Sequence, residues 1–129
     1  LRRRLGPDGE ETVVPMRDLI DAGVQVSLAT DNAPPTLFVP ISQVVGRRTE
    51  GGGRPIGAGQ AISRVEALAA ASREGAWLSF EETEKGTLEV GKLADLAILS
   101  EDLLTVEEEG IFDITSDVTI TGGKVVHRV

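Results

Sequence analysis

The feature that most constrains the fold is a short helix pattern that ends at one glycine and is followed at once by a strand pattern. Residues 15–22 begin with a proline, which suits the first helical position, and their apolar side chains recur at positions i, i+3 and i+4. Gly23 supplies a left-handed stop, and residues 24–30 alternate in polarity and begin with β-branched side chains. This order is typical of the αβ half of a parallel α/β unit.

The middle of the chain is predicted to be helical. We expect a short helix over residues 40–45. Ser63 and Glu66 have the spacing of a capping box that opens a longer helix over residues 64–73, and the alanines of this helix permit close packing. A further helical turn is predicted over residues 76–80.

From residue 86 onward the pattern changes to β. Residues 87–90 and 95–99 flank a Gly-Lys turn, and residues 118–121 and 124–127 flank a Gly-Gly pair. A Gly-Gly pair between two alternating runs is a strong indication of a two-residue hairpin. The tail is therefore predicted to be antiparallel.

Composition excludes several kinds of protein. The 129 residues include no cysteine, which removes disulfides, thiolate catalysis and cysteine-based zinc sites and fits a reducing compartment, so we expect a cytoplasmic location. The longest uncharged run, residues 32–46, is too short for a membrane span and is broken by prolines. Residues 65–129 carry 14 acidic and 5 basic side chains, which would repel nucleic acid. We therefore expect no membrane or nucleic-acid partner.

Asp31 is the strongest candidate for a chemical role. It follows the predicted strand directly, and parallel α/β sheets place their ligand groups just beyond the carboxyl ends of strands. A carboxylate there can ligate a metal or accept a proton. The alternative is that Asp31 only fixes the turn that follows, as Asp often does. The spacing alone slightly favours the turn-fixing role.

Other polar and aromatic residues have simpler interpretations. His127, the only histidine, cannot build a histidine-rich metal site by itself, so we expect a structural or solvated role. Arg47 and Arg48 could pair with a substrate carboxylate, but arginines near a helix end are more often solvated. Trp77 and Phe80 are spaced like one helix face and are expected in the core.

Three segments resemble the C-terminal portion of the amidohydrolase superfamily, in its family-3 type of metal-dependent hydrolase. Residues 22–31 resemble the last barrel strand with its terminal aspartate, and residues 65–77 resemble the helical segment that follows that strand. The third segment, residues 85–96, resembles the K-G-x-L-x-x-G-K-x-A-D-L entry into the small β domain of the family. The resemblance covers roughly residues 13–129.

The resemblance implies a fold and a chemistry. It implies an α/β chain made of the final αβ unit of a TIM-like barrel, in residues 1–85, and part of a small antiparallel β-sandwich, in residues 86–129. Family members bind one or two divalent metals, often zinc, and the aspartate that matches Asp31 binds metal and moves the proton of the attacking water. The other family ligands, several of them histidines, belong to earlier strands and have no counterpart here.

We therefore expect the C-terminal part of an enzyme that hydrolyses non-peptide C–N bonds of a small-molecule substrate. The chain begins with Leu1, which suggests a segment of a longer protein, and it is expected to be inactive and metal-free by itself. The glycine-rich residues 51–59 lack the ending of a phosphate-binding loop, so we expect a flexible loop, which in the amidohydrolase interpretation borders the substrate pocket. Two alternatives remain: a non-catalytic β-rich interaction module, and a deaminase of the same superfamily. A homo-oligomer is compatible with all three.

Overall fold

The computed structural model describes residues 2–6, 8–31, 36–48 and 53–129. Within these ranges lie α1 (Arg2–Leu5), α2 (Met16–Asp21), α3 (Phe38–Gly46), α4 (Arg64–Ala71), α5 (Arg73–Leu78), β1 (Leu96–Leu99), β2 (Ser116–Thr121) and β3 (Lys124–Arg128), with 3₁₀ helices at Asp8–Glu10, Ala58–Gln60 and Glu108–Asp113. None of the helices in this described part is long and apolar enough to cross a membrane.

Helix α2 lies where the sequence predicts it. Pro15 precedes it with φ −78° and ψ 63°, the geometry of an inverse γ-turn, and the Met16 N–H donates to the Val14 carbonyl at 2.8 Å. At the other end, Gly23 has a φ of +76°, and its N–H donates to the Ile20 carbonyl at 2.9 Å. The predicted helix is confirmed to within one residue at each end.

The strand predicted after α2 is not formed within the part of the chain that the structure describes. Residues 24–30 carry no assigned secondary structure, although the Leu28 N–H donates to the Ala70 carbonyl of α4 at 2.9 Å. A strand requires a neighbouring strand to pair with, and the described sheet contains only β1, β2 and β3. Alternating polarity predicts extended backbone but cannot supply that neighbour.

Helix α4 begins as predicted. The Ser63 hydroxyl accepts the Glu66 N–H at 3.2 Å, and the Glu66 carboxylate accepts the Ser63 N–H at 2.8 Å, so the capping box is complete. The helix ends at Ala71, two residues earlier than predicted, because Ser72 leaves the helical region with φ −130° and ψ −80°. Helix α5 then includes most of the predicted helical turn and ends at Leu78.

The β-rich tail forms an antiparallel sheet in the order β1, β2, β3. Gly122 and Gly123 join β2 to β3 with φ values of +56° and +76°, which suit a two-residue hairpin turn. This hairpin is therefore confirmed, and the strand predicted over residues 95–99 is present as β1. The strand predicted over residues 87–90 is wrong: it pairs with no described strand, and Leu88 is exposed, so it has no buried face.

The core lies between α2, α3, α4 and the 3₁₀ helix Glu108–Asp113. Its buried cluster consists of Met16, Ile41, Val44, Ile62, Ala67, Leu103, Ile111 and Ile114. Trp77 and Phe80 lie outside it, 39% and 89% exposed, so the prediction that both belong to the core is wrong. Phe80 follows the end of α5 with a φ of +60°, which takes its ring off the helix face that the spacing implied. The domain boundary between residues 85 and 86 stays a prediction.

Candidate functional site

Asp31 lies at the end of the segment that follows α2 and Gly23. We call residues 24–31 the Asp31 segment. The side chain of Asp31 is exposed, and residues 32–35, which follow it, lie outside the described residues. The segment leaves α2 at Gly23 and is bonded to α4 through Leu28 and Ala70. The catalytic and metal-binding roles of Asp31 stay predictions.

The donor set around Asp31 does not by itself fit a metal site. Across residues 2–6, 8–31, 36–48 and 53–129, no group of three or more His, Cys, Asp or Glu side chains could hold a metal ion. Zinc in proteins is almost always held by three or four protein ligands. His127 lies exposed in β3, in agreement with the expected solvated role. Asp31 alone therefore provides fewer ligands than a catalytic zinc requires.

Arg47, which follows α3, is buried and binds backbone. Its Nε donates to the carbonyls of Ile56 at 3.0 Å and Gly57 at 3.1 Å. Its Nη1 donates to the Val14 carbonyl at 3.1 Å, and its Nη2 donates to the Val13 carbonyl at 2.6 Å. The expectation of a solvated Arg47 is wrong, because the residue is 8% exposed and its guanidinium binds backbone carbonyls. We call Arg47 with these four carbonyls the Arg47 clasp.

The backbone at the clasp is closely packed. Arg47 itself has a φ of +54°, and its carbonyl accepts the Ile56 N–H at 2.8 Å, so the two ends of the 48–55 loop are held together. Gly57 has a φ of +59°, and a Cβ there would lie 2.5 Å from the Glu10 carbonyl oxygen and 3.1 Å from Arg47 Nη2. Glycine is therefore required at position 57. Burial lowers the pKa of Arg47 below its usual value, yet an arginine in proteins keeps its charge.

Arg48 and Arg54, which follow Arg47 in the chain, also bind groups close to the clasp. Arg54 Nη2 lies 2.7 Å from Oε2 of Glu10, whose side chain is buried. Arg48 is exposed and donates to the Glu108 carboxylate at 3.1 Å and to the Gly53 carbonyl at 2.7 Å. Both arginines are therefore engaged within the chain. The part of the glycine-rich region that the structure describes, residues 53–59, is fixed by arginine contacts, and residues 51 and 52 lie outside the described residues.

The capping box of α4 also ties that helix to α2. Glu66 Oε1 accepts a hydrogen bond from Arg17 Nη1 at 2.8 Å, and Arg17 also pairs with Asp21 at 2.7 Å. The backbone N–H of Ser63 and then the guanidinium of Arg17 lower the pKa of Glu66 to about 2. Glu66 is thus ionised at neutral pH in a structural role.

A pocket of about 550 Å³ opens between α3, α4 and β1. Phe38, Leu68 and Leu99 make its wall largely apolar. Among the described residues that line it, Asp95 has the titratable side chain, and Asp95 Oδ1 accepts the Gly122 N–H at 2.6 Å. One carboxylate engaged with the hairpin turn does not form an acid–base pair, so this pocket has no catalytic assignment.

No pattern in the sequence predicts the Arg47 clasp. Arg47 is separated from Val13 and Val14 by more than 30 positions, and no local spacing connects an arginine to distant backbone carbonyls. The positive φ values of Val14 and Arg47 cannot be predicted from the sequence either, because neither residue type favours the left-handed region of backbone conformation. The sequence feature that lies nearest to the clasp is a predicted helix end followed by a glycine-rich run.

Comparison with known proteins places the chain in a family. The family described as "Amidohydrolase family" matches residues 1–127. An N-substituted formamide deformylase from Arthrobacter pascens is 36% identical over 91 residues, which are 68% of this chain and 16% of that protein. An amidohydrolase from Thermotoga maritima MSB8 superposes with a TM-score of 0.66 at 18% identity, covering 93% of this chain and 26% of that one.

These matches differ in what they support. The structural likeness, at its low identity, concerns the fold alone, and it agrees with the mixture of helices and a small antiparallel sheet described above. The chain spans only 16% of the length of the curated relative and 26% of the structural neighbour. The family match, by contrast, covers nearly every residue. The chain therefore belongs to the amidohydrolase family.

Proposed function

We propose that this chain acts as the C-terminal part of an amidohydrolase that hydrolyses a non-peptide C–N bond in a small molecule. The family match over residues 1–127 is the observation that carries the proposal. The similarity to an N-substituted formamide deformylase suggests an N-substituted amide as the substrate class. Because the chain spans a small share of that relative, the activity is proposed for a longer enzyme that contains this chain.

The proposed fold assigns the Asp31 segment to the last strand of a TIM-like barrel, with β1 to β3 in a small β-sandwich. The segment has no assigned secondary structure and alternates in side-chain polarity, and its hydrogen-bond partners among the described residues include Ala70 of α4 and Glu74 of α5. Alternating polarity without strand pairing is what we expect of a parallel strand whose neighbouring strands are absent. The strands that pair with it would then belong to other parts of the enzyme.

Asp31 is proposed as the residue that moves the proton. As water adds to the carbonyl carbon of the amide, the Asp31 carboxylate accepts a proton from it, and the proton then passes to the nitrogen as the C–N bond breaks. Its exposed position at the end of the segment leaves the carboxylate accessible to a substrate. Asp31 is also proposed as one ligand of a divalent metal, expected to be zinc. The remaining ligands must come from outside the described residues, so we derive no step through the metal.

The test is a substrate panel for the longer enzyme. N-substituted formamides and other small amides are assayed for release of amine and carboxylate, and an amino-substituted nucleobase is assayed for release of ammonia. We expect release of amine from at least one amide. Ammonia release from the base alone would favour the deaminase alternative, and no turnover with bound metal present would favour a binding module.

A further inference from the structure

The apolar pocket between α3, α4 and β1 reaches the core of the chain. Ile41, which is 2% exposed and belongs to the core cluster, lines the pocket together with Phe38 and Leu99, which pack against that cluster. At about 550 Å³, the pocket lies within the range of about 300–1,000 Å³ that is typical of sites for a bound group. Protein interiors contain few voids larger than a water molecule, so an apolar space that reaches the core is expected to be filled.

The polar side chains that line the pocket are already engaged within the chain. Asp95 binds the hairpin turn, as described above, and the Ser72 hydroxyl donates to the Leu68 carbonyl at 2.7 Å. The Thr87 hydroxyl accepts a hydrogen bond from Lys92 Nζ at 2.6 Å. The pocket therefore offers mainly apolar contact, and a charged group that entered it would lose its water without gaining a partner.

Leu88 also lines the pocket, yet its side chain is 77% exposed. The backbone on both sides of it is held in place. Gly86 has a φ of +93°, and a Cβ there would lie 2.7 Å from the Cβ of Ala76, so the chain before Leu88 packs closely against α5. After Leu88, Lys92 Nζ lies 3.0 Å from Oε2 of Glu89. An apolar side chain that is fixed outside the core, beside an apolar pocket, is typical of a surface that contacts another segment of protein.

We infer that this pocket is the docking site for an apolar segment of the longer enzyme, and that the segment covers Leu88. The fold indicates the source of the segment: 93% of this chain superposes on 26% of the structural neighbour, so most of that fold lies outside this chain. A second copy of the chain fits less well, because two chains with a net charge of −8 repel each other. The inference rests on the proposed function only in that a longer enzyme contains this chain.

The experiment compares two cysteine variants of the longer enzyme, Leu88→Cys and Glu89→Cys. Cysteine behaves as a small apolar side chain, and this chain has none of its own. The side chain of Glu89 is 64% exposed and is not among the described residues that line the pocket, so Glu89→Cys is a matched control in the same stretch of backbone. Maleimide labelling of each site is followed by peptide mass spectrometry, and each rate is divided by the rate in the denatured enzyme. The measurement is repeated after 100-fold dilution and after dialysis.

We expect the relative rate of Leu88→Cys to be about 100-fold or more below that of Glu89→Cys, because a covered site reacts only when the structure opens locally. Equal relative rates, whether both are fast or both are slow, would overturn the inference. Protection that is lost on dilution would assign the pocket to a second copy, and protection that is lost on dialysis would assign it to a small apolar molecule; either result would also overturn the inference. Labelling requires no turnover, so an enzyme that hydrolyses no amide would overturn the proposed function and leave this result unaffected.

Discussion

Val14 is a β-branched residue held at a φ of +49°, with its side chain 55% exposed. This conformation costs an L-residue about 1–2 kcal/mol, and here it delivers the carbonyl of Val14 to Arg47. Val14→Gly should therefore raise the free energy of unfolding by about 0.5–1 kcal/mol, after the greater backbone freedom of glycine in the unfolded chain is subtracted. Urea unfolding measures the change.

Val13→Gly is the control for this prediction. Val13 also gives its carbonyl to Arg47 but has no positive φ, so glycine there has no strain to relieve and should lower stability. If both substitutions change the free energy of unfolding equally, glycine at position 14 does not act by relieving backbone strain.

Asp31→Asn tests the proposed proton acceptor. Asparagine keeps the size of the side chain but cannot accept the proton, so kcat of the longer enzyme should fall at least ~100-fold. Folding should change little, because the side chain is exposed. Kinetics alongside thermal melts provide the measurement, and Asp21→Asn on α2 is the control for loss of one carboxylate. Turnover near the wild-type value would leave Asp31 only its turn-fixing role, in which Asn replaces Asp well.

At the scale of elements, the start of α4 depends on an ionised Glu66. Its folded pKa of about 2 lies below the ordinary value of 4.5, so its stabilising effect is present above about pH 4.5 and is lost as the pH falls toward 2. The side chain is 33% exposed, and solvent screening limits the effect to about 1 kcal/mol. Glu66→Gln should therefore destabilise the chain at pH 6 and match the wild type near pH 2.

Thermal midpoints of the wild type and Glu66→Gln from pH 6 to pH 2.5 would check this. Other carboxylates titrate in both proteins, so the difference between the two curves isolates Glu66. A difference in thermal midpoint that stays constant from pH 6 to pH 2.5 would contradict the prediction.

The elements that the sequence predicts correctly are those that local chemistry determines. Helix α2, the Ser63–Glu66 capping box and the Gly-Gly hairpin each depend on residues within a few positions of one another. The strands predicted over residues 24–30 and 87–90 are not formed within the described residues, because a strand needs a partner that local alternation cannot specify. The position of Asp31 after the predicted strand made it a candidate, and the family resemblance gave it a role. The role of Arg47 was predicted wrongly, because the carbonyls that it binds are distant in the sequence.

At the scale of the whole molecule, an incomplete ligand set has a measurable consequence. The described residues contain no cluster that could hold a metal ion. We expect the purified chain to bind no stoichiometric zinc and to hydrolyse no model amide. Elemental analysis after dialysis against zinc, together with an amide assay, measures both. About one tightly bound metal per chain would contradict the prediction and would indicate a site assembled between chains.

The stretch of chain between Arg47 and Ile56 is a suitable place for inserted sequence. The Ile56 N–H donates to the Arg47 carbonyl at 2.8 Å, so the two residues that flank this stretch are joined whatever its length. Doubling a loop costs only about 0.6 kcal/mol of closure entropy. A peptide tag placed there would lengthen this stretch while the bond between Ile56 and Arg47 keeps Gly57 beside the end of α3.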